Sequence, residues 1–269
     1  MKIIAHGGVG SSRELDPHVM DAVKEGSRGA EDALSAVVGV VSKLEDEPMF
    51  NAGTGSRMRL DGSIQMDAAV MYRGEIGAVG ALERVKNPVQ VAAEIYRGPY
   101  VFLVGDDAKR FARGMGFETY DPSTEKRREE LLKMQEKLNN HEDLKKIYDV
   151  VDGGDTVGCA ASFNGEYAAA VSTGGTSYCI RGRIGDSPLV GCGFYAGERG
   201  AVITTGKGEE IIKDLTAYRC YELIPEYGLS GACEKMVEEF NKDVTIGVIA
   251  VGEEGTAAAS SKDMSQSNL

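Results

Sequence analysis

The stretch Asp155-Thr156-Val157-Gly158 follows a long charged segment and opens an apolar run, Cys159-Ala160-Ala161-Ser162. A threonine hydroxyl is a weak nucleophile unless a base sits beside it. If the peptide bond before Thr156 is cut, the new α-amine supplies that base from the same residue. An α-amine titrates near roughly 7.7–8.0, against about 10.4 for a lysine, so it suits proton transfer at neutral pH. The spacing therefore points to Thr156 as an N-terminal nucleophile released by self-cleavage after Asp155.

Such a nucleophile needs its amine and hydroxyl oriented, donors for an oxyanion, a clamp for substrate and a place for water. Thr173, in Ser172-Thr173-Gly174-Gly175, would be returned beside Thr156 by a hairpin; a threonine capping a glycine turn is the plainer alternative. Arg183 and Asp186, in Gly182-Arg183-Ile184-Gly185-Asp186-Ser187-Pro188, match the carboxylate and ammonium of an amino acid, or else pair with each other to hold their loop. Thr205 and Gly206, in Thr204-Thr205-Gly206-Lys207-Gly208-Glu209, lie between a strand and a helix and suit an oxyanion, or simply begin the helix. Asn51, in Phe50-Asn51-Ala52-Gly53, carries an amide that could donate to an oxyanion or serve an ordinary turn.

Other chemistries fit less well. The three histidines, His6, His18 and His141, have no histidine or cysteine at metal-ligand spacing, which argues against zinc. No GxxxxGK[ST] occurs, and Arg13 stands where a dinucleotide fingerprint starting at Gly8 needs its third glycine. A net charge of −12 disfavours nucleic acid as a partner. No apolar run is long enough to span a membrane, and the N-terminus turns at glycine too early for a secretory signal. The five cysteines include no CxxC and sit among small or apolar neighbours. They read as reduced, buried thiols of a cytoplasmic protein.

The elements that must position these residues are legible as alternating strand and helix blocks. Strands are expected at 2–6, 64–70, 75–82, 101–104 (buried), 157–162, 167–172, 201–205, 245–251 and 256–260. Helices are expected at 17–26, 29–44, 88–96, 107–114 (capped by Asp106), 209–223 and 231–240. Asn164-Gly165 signals a hairpin. From about Asp121 through Tyr148 the chain is dense in charge, a surface helix or a linker outside the core, ending at Gly153-Gly154. Strands and helices in separate blocks favour stacked sheets with helices outside, in one domain over 1–269.

Taken in order, His6-Gly7-Gly8-Val9-Gly10, Phe50-Asn51-Ala52-Gly53, Met66-Asp67-Ala68, Asp155-Thr156-Val157-Gly158 and the three motifs around Thr173, Arg183 and Thr205 resemble the plant-type asparaginase and isoaspartyl-peptidase family of N-terminal nucleophile hydrolases. The resemblance spans nearly the whole chain. It implies an α+β, four-layer αββα sandwich, cut into an α chain (1–155) and a β chain (156–269), with two such heterodimers assembled together. It implies Thr156 as nucleophile, Thr173 steadying it, Arg183 and Asp186 as the clamp, and Thr205 and Gly206 as the oxyanion hole. Asn51 and Gly208 would line the site, with Ile184, Gly185 and Lys207 in the substrate-binding stretches. It implies no catalytic cofactor, and a structural sodium on the backbone carbonyls of Leu44, Glu45, Glu47, Phe50, Ala52 and Thr54. The expected substrate is a small molecule, L-asparagine or a β-aspartyl dipeptide. A glycosylasparaginase of the same superfamily and an uncleaved asparagine- or aspartate-binding protein are the alternatives. Asp155 stands where many relatives have glycine, an aspartate being found there in glycosylasparaginases, and Lys207 stands where histidine is frequent.

Overall fold

The computed structural model describes residues 1–137 and 155–269; the end of the charged segment, with His141 and Gly153-Gly154, lies outside the described residues. The strands are β1 (Lys2–Val9), β2 (Met66–Tyr72), β3 (Glu75–Leu82), β4 (Phe102–Val104), β5 (Val157–Phe163), β6 (Glu166–Thr173), β7 (Phe194–Gly197), β8 (Gly200–Gly206), β9 (Ile246–Gly252), β10 (Gly255–Ser260) and β11 (Met264–Asn268). The helices are α1 (Asp16–Gly26), α2 (Ala33–Asp46), α3 (Pro88–Tyr96), α4 (Gly105–Gly114), α5 (Glu125–Lys137), α6 (Gly208–Asp214) and α7 (Thr216–Glu238).

One sheet runs β11-β1-β5-β6-β2-β3-β4 and the other β10-β9-β8-β7. Their facing sides bury Ile4, Met71, Ala160, Ala169 and Val171 against Phe194, Ala196, Ile203, Ile249 and Val251. The outer face of the larger sheet packs on α1 to α4 through Val23, Val37, Val41, Leu44, Val89 and Ile95. The outer face of the smaller sheet packs on α6 and α7 through Val202, Ile211, Cys220, Met236 and Val248. These are the four layers αββα. Because both faces of the inner strands are covered, they are apolar throughout rather than alternating. The alanines at 160, 161 and 168–170 are fully buried, and their small side chains let helix and sheet layers lie close on either side of β5 and β6.

The local chemistry explains most boundaries. Asp32 accepts from the Ser35 N–H at 2.7 Å and Ser35 Oγ accepts from Asp32 N–H at 3.1 Å, a reciprocal cap that starts α2. The β5–β6 hairpin turns on Asn164 and Gly165, with φ of 51° and 82°. Left-handed backbone at both central residues matches the twist of the paired strands. It sets Val157 opposite Ser172 and so brings Thr173 alongside Thr156.

Some expectations need correcting. β1 continues through Gly7 and Gly8 to Val9, because it pairs with β5 on one side and β11 on the other. β11, the final strand, carries mostly polar residues and gave no strand signal in the sequence; its backbone pairing with β1 decides it. The segment at 101–104 is an edge strand, half-exposed, rather than a buried one. Asp106 lies in the first turn of α4, whose N-cap position is Val104. The helix expected over 209–223 is broken at Leu215, which is left-handed with φ of 54°, and α7 then runs on with a kink at Gly228. The charged segment is not wholly outside the packed structure. Arg127 of α5 is buried and donates Nε–H to the Gly55 carbonyl at 2.9 Å, its stem covering the loop that carries Asn51.

Candidate active site

Thr156 begins at the mouth of β5, buried to 5 % exposure. Its backbone N–H donates to Thr205 Oγ1 at 3.3 Å, and its Oγ1 lies 3.1 Å from Ser187 Oγ. Thr205 is the penultimate residue of β8, so the Thr156 nitrogen links the start of β5 in one sheet to the end of β8 in the other. Val9 N–H approaches the same Thr205 oxygen at 3.5 Å, which is the part β1 plays here.

The bond before Thr156 is held separately. The Asp155 carbonyl oxygen accepts from Asn51 Nδ2 at 2.8 Å and from Thr173 Oγ1 at 3.2 Å. Asn51 is locked in turn: its second amide hydrogen reaches the Gly175 carbonyl at 2.8 Å, and its Oδ1 accepts from Arg57 N–H at 2.7 Å. Thr173 Oγ1 also accepts from Gly175 N–H at 3.0 Å, so the turn-capping role and the site role belong to the same side chain. Two donors thus converge on one carbonyl oxygen, the arrangement that stabilising an oxyanion requires.

A second set of groups faces the other way. Gly206 has φ of 140°, and a Cβ there would lie 2.2 Å from the Thr245 carbonyl. Only glycine lets β8 leave the sheet at this point. A Cβ on Gly208 would lie 2.8 Å from Asp186 Oδ1 and 2.9 Å from Arg183 Nη2. The absent side chain lets Asp186 and Arg183, a carboxylate and a guanidinium, pack directly against the Gly208 backbone. Arg183 and Asp186 do not form the internal pair. Arg183 instead donates from Nε and Nη2 to Glu209 Oε1 at 3.0 and 2.8 Å. Asp186 is buried, and its Oδ2 has no hydrogen-bond partner among the described residues. Burial pushes its pKa up to about 7, against its own backbone N–H and the charge of Arg183. Asp67, from the third motif of the sequence, is buried nearby; burial raises it to about 6, opposed by the Ala81 N–H and by Arg59 and Arg183.

His6 is also buried here and accepts from Gly8 N–H at 3.1 Å through Nδ1. Burial lowers its pKa to about 3, the Thr156 backbone acting in the opposite sense, so it is a neutral imidazole at physiological pH. Its Nδ1 supports the turn, and so low a pKa makes it a weak proton acceptor.

The remaining expected residues are placed differently. Ile184 directs its side chain at Gly80 of β3, where a Cβ would come within 2.8 Å of Ile184 Cδ1. Lys207 is half exposed and its Nζ lies 4.0 Å from Glu210. Among the carbonyls expected to hold sodium, those of Leu44, Glu45 and Glu47 accept the N–H groups of Glu47, Thr54 and Phe50 at 3.3, 2.8 and 3.1 Å. Each carbonyl keeps a second lone pair, and an all-oxygen set suits a hard cation.

Three residues escaped the sequence reading. Ser187 follows Asp186 directly and reaches Thr156 only because the loop turns inward. Arg59 is fully buried: its guanidinium meets Cys179 Sγ and donates to the carbonyls of Gln65 and Arg183, both at 3.1 Å. It ties the segment that follows Asn51 to the loop of Arg183. Charged residues seldom occupy cores, so nothing in the sequence marked it. Arg57 pairs with Asp155 across 3.8 Å, a contact between residues 98 positions apart by number.

A family model described as asparaginase matches residues 1–268. The chain belongs to this asparaginase family. The plant-type L-asparaginase of Pyrococcus abyssi is 38 % identical over 98 % of this chain and 94 % of its own length. The isoaspartyl peptidase of Salmonella typhimurium is 37 % identical over 95 % of this chain and 90 % of its own. The N(4)-(β-N-acetylglucosaminyl)-L-asparaginase of Elizabethkingia miricola is 34 % identical over 89 % and 74 %. The four-layer sandwich agrees with membership of this asparaginase family, which uses an N-terminal nucleophile. Among the described residues, no helix is long and apolar enough to cross a membrane, and no three His, Cys, Asp or Glu side chains group as a metal site.

Proposed function

We propose that this chain cuts itself between Asp155 and Thr156 and then, as a threonine amidohydrolase, hydrolyses L-asparagine and β-aspartyl dipeptides. One observation carries the reading: the Asp155 carbonyl is held by Asn51 and Thr173, while Thr156 offers its nitrogen and oxygen to Thr205 and Ser187. In the first reaction Thr156 Oγ adds to the Asp155 carbonyl carbon. Asn51 Nδ2 and Thr173 Oγ–H take the oxyanion, the C–N bond breaks, and the nitrogen gains the proton lost from Oγ. Water then hydrolyses the ester, leaving an α chain of 1–155 and a β chain of 156–269.

In the second reaction the free α-amine takes the Oγ proton as Oγ adds to the side-chain carbonyl of the substrate. Arg183 meets the substrate's α-carboxylate and Asp186 its α-ammonium, beside the Gly208 backbone. Thr205 Oγ–H and Gly206 N–H stabilise the oxyanion. The amine passes its proton to the leaving nitrogen, and water releases aspartate from the acyl-enzyme. Names of relatives at 37–38 % identity support this chemistry.

The test is direct. Aged protein on a denaturing gel should run as two fragments, the smaller starting at Thr156, and should release ammonia from asparagine and leucine from β-Asp-Leu. A single band with no turnover would favour the binding protein; release of a glycosylamine alone would favour the glycosylasparaginase.

The same reading extends to a dimer of the cut heterodimers, in the cytoplasm, where five buried free thiols would remain reduced. It also extends to sodium on the carbonyls of Leu44, Glu45, Glu47, Phe50, Ala52 and Thr54, holding the turn that leads to Asn51. A lower melting temperature after exchange of sodium for choline would support that cation site; an unchanged one would remove it.

A further inference from the structure

We propose that Arg57 reads the α-carboxylate of the leaving amino acid, which makes β-aspartyl peptides with a free C-terminus better substrates than their amides. The inference rests on the hydrolase reading above and adds a specificity residue to it. In the described structure Arg57 Nη2 faces Asp155 Oδ2 at 3.8 Å, with both side chains 26 % exposed. Arg57 Nε is buried and has no hydrogen-bond partner among the described residues. The guanidinium therefore presents a spare Nε–H beside an Nη already turned toward a carboxylate, the edge that grips a carboxylate with two bonds.

The backbone of Arg57 is fixed relative to the reacting bond. Its N–H donates to Asn51 Oδ1 at 2.7 Å, and Asn51 Nδ2 in turn holds the Asp155 carbonyl at 2.8 Å. A Cβ on Gly174 would come within 2.7 Å of Arg57 N, so the loop of residues 51–57 lies directly against the end of β6.

Proton transfer then says what replaces Asp155. The Thr156 α-amine must hand its proton to the leaving nitrogen, so that nitrogen has to sit within hydrogen-bond reach of Thr156 N, about 3 Å. Asp155 hangs from that same nitrogen before cleavage. The leaving group thus enters the space Asp155 vacates, and Arg57 faces that space. In an α-amino acid the carboxylate lies two bonds from the leaving nitrogen. Adding the hydrogen bond, its reach from Thr156 N is close to that of the Asp155 side chain, whose carboxylate is four bonds away. Ammonia, the leaving group from asparagine, has nothing for Arg57 to hold.

The experiment compares β-Asp-Leu with β-Asp-Leu amide on protein first confirmed as two fragments by gel. Wild type should prefer the acid by about 10- to 100-fold in kcat/KM, as expected for a charge-assisted pair. The preference should sit mainly in KM, collapse to near unity in Arg57→Gln, and be partly restored in Arg57→Lys. Equal rates on acid and amide in wild type, or a preference that survives Arg57→Gln, overturns the assignment. The acid-to-amide ratio in wild type decides even where a variant fails to fold or cleave. Wild type that stays in one piece and turns over neither peptide sinks the hydrolase reading itself, an outcome distinct from turnover without a carboxylate preference.

Discussion

Asn51 donates its side-chain amide to the carbonyl oxygen of Asp155 at 2.8 Å. Two residues 104 positions apart thereby meet at the bond whose cleavage would free the nucleophile. Thr173 supplies the second donor to that oxygen. Removing one donor from an oxyanion hole slows reaction by about 100- to 1,000-fold. Asn51→Ala and Thr173→Val should each slow fragment formation by that order, followed by gel over time. A variant that cleaves at the parental rate would show that the contact is only structural.

Thr205 is assigned to the other proposed reaction. Its Oγ1 accepts from Thr156 N–H before cleavage and would donate to the substrate oxyanion afterwards. Thr205→Val keeps the shape and removes both roles. We expect kcat to fall by about 100-fold or more with KM changed little. Thr156→Ala, lacking the attacking oxygen, should neither cleave nor turn over.

Gly208→Ala tests the clamp by crowding both of its charged groups at once. The new methyl would sit 2.8 Å from Asp186 Oδ1 and 2.9 Å from Arg183 Nη2, too close for both groups to stay in place. KM for asparagine should rise at least about tenfold, roughly 1.4 kcal/mol. Fragment formation should continue, since Asn51 and Thr173, which hold the Asp155 carbonyl, are not among the nearest contacts of that methyl. Unchanged KM would mean that substrate lies elsewhere.

Asp186 gives a pH dependence with a defined sign. Its native pKa of about 7 lies above the ordinary 3.8, because burial disfavours the charged form. Below about pH 7 the empty site holds a neutral acid that cannot pair with the substrate ammonium. KM should therefore climb as pH falls from 8 to 6, by up to about tenfold per unit. Stability moves in the same direction as protonation. Between about pH 4 and 7 the native carboxyl keeps a proton that the unfolded chain has lost, so this group's contribution to stability declines as pH rises through that window. Asp186→Asn should be more stable than wild type at pH 8, with the difference shrinking toward pH 4 in urea titrations, while binding of asparagine is lost.

Fold and site were legible to different depths. The Asn164-Gly165 turn carries its own conformational instruction, so the hairpin and the return of Thr173 to Thr156 could be read before any coordinates. Pro88 likewise marks where a helix begins, whereas the periodicity read from residue 29 overran the Asp32 cap at which α2 starts. β11 could not be read this way, because Met264-Ser265-Gln266-Ser267-Asn268 has no apolar alternation and is held by backbone bonds to a distant strand. Leu215 gave no break signal either; a left-handed leucine is imposed by the packing of α6 and α7 rather than by its own preference.

By itself, the sequence determined which residues can do the chemistry: a threonine in the right local setting, an arginine and aspartate three apart, a threonine-glycine step after a strand. These are properties of side chains and short spacings, and local backbone preference carries them. Only the tertiary structure decided how they are shared out. It sends Arg183 to Glu209 instead of Asp186, buries Arg59 against the Arg183 backbone, places Ser187 on Thr156 and sets Arg57 opposite Asp155. Such partnerships join loops far apart in the chain. They depend on the register of two packed sheets, and no local stretch of residues encodes that register alone.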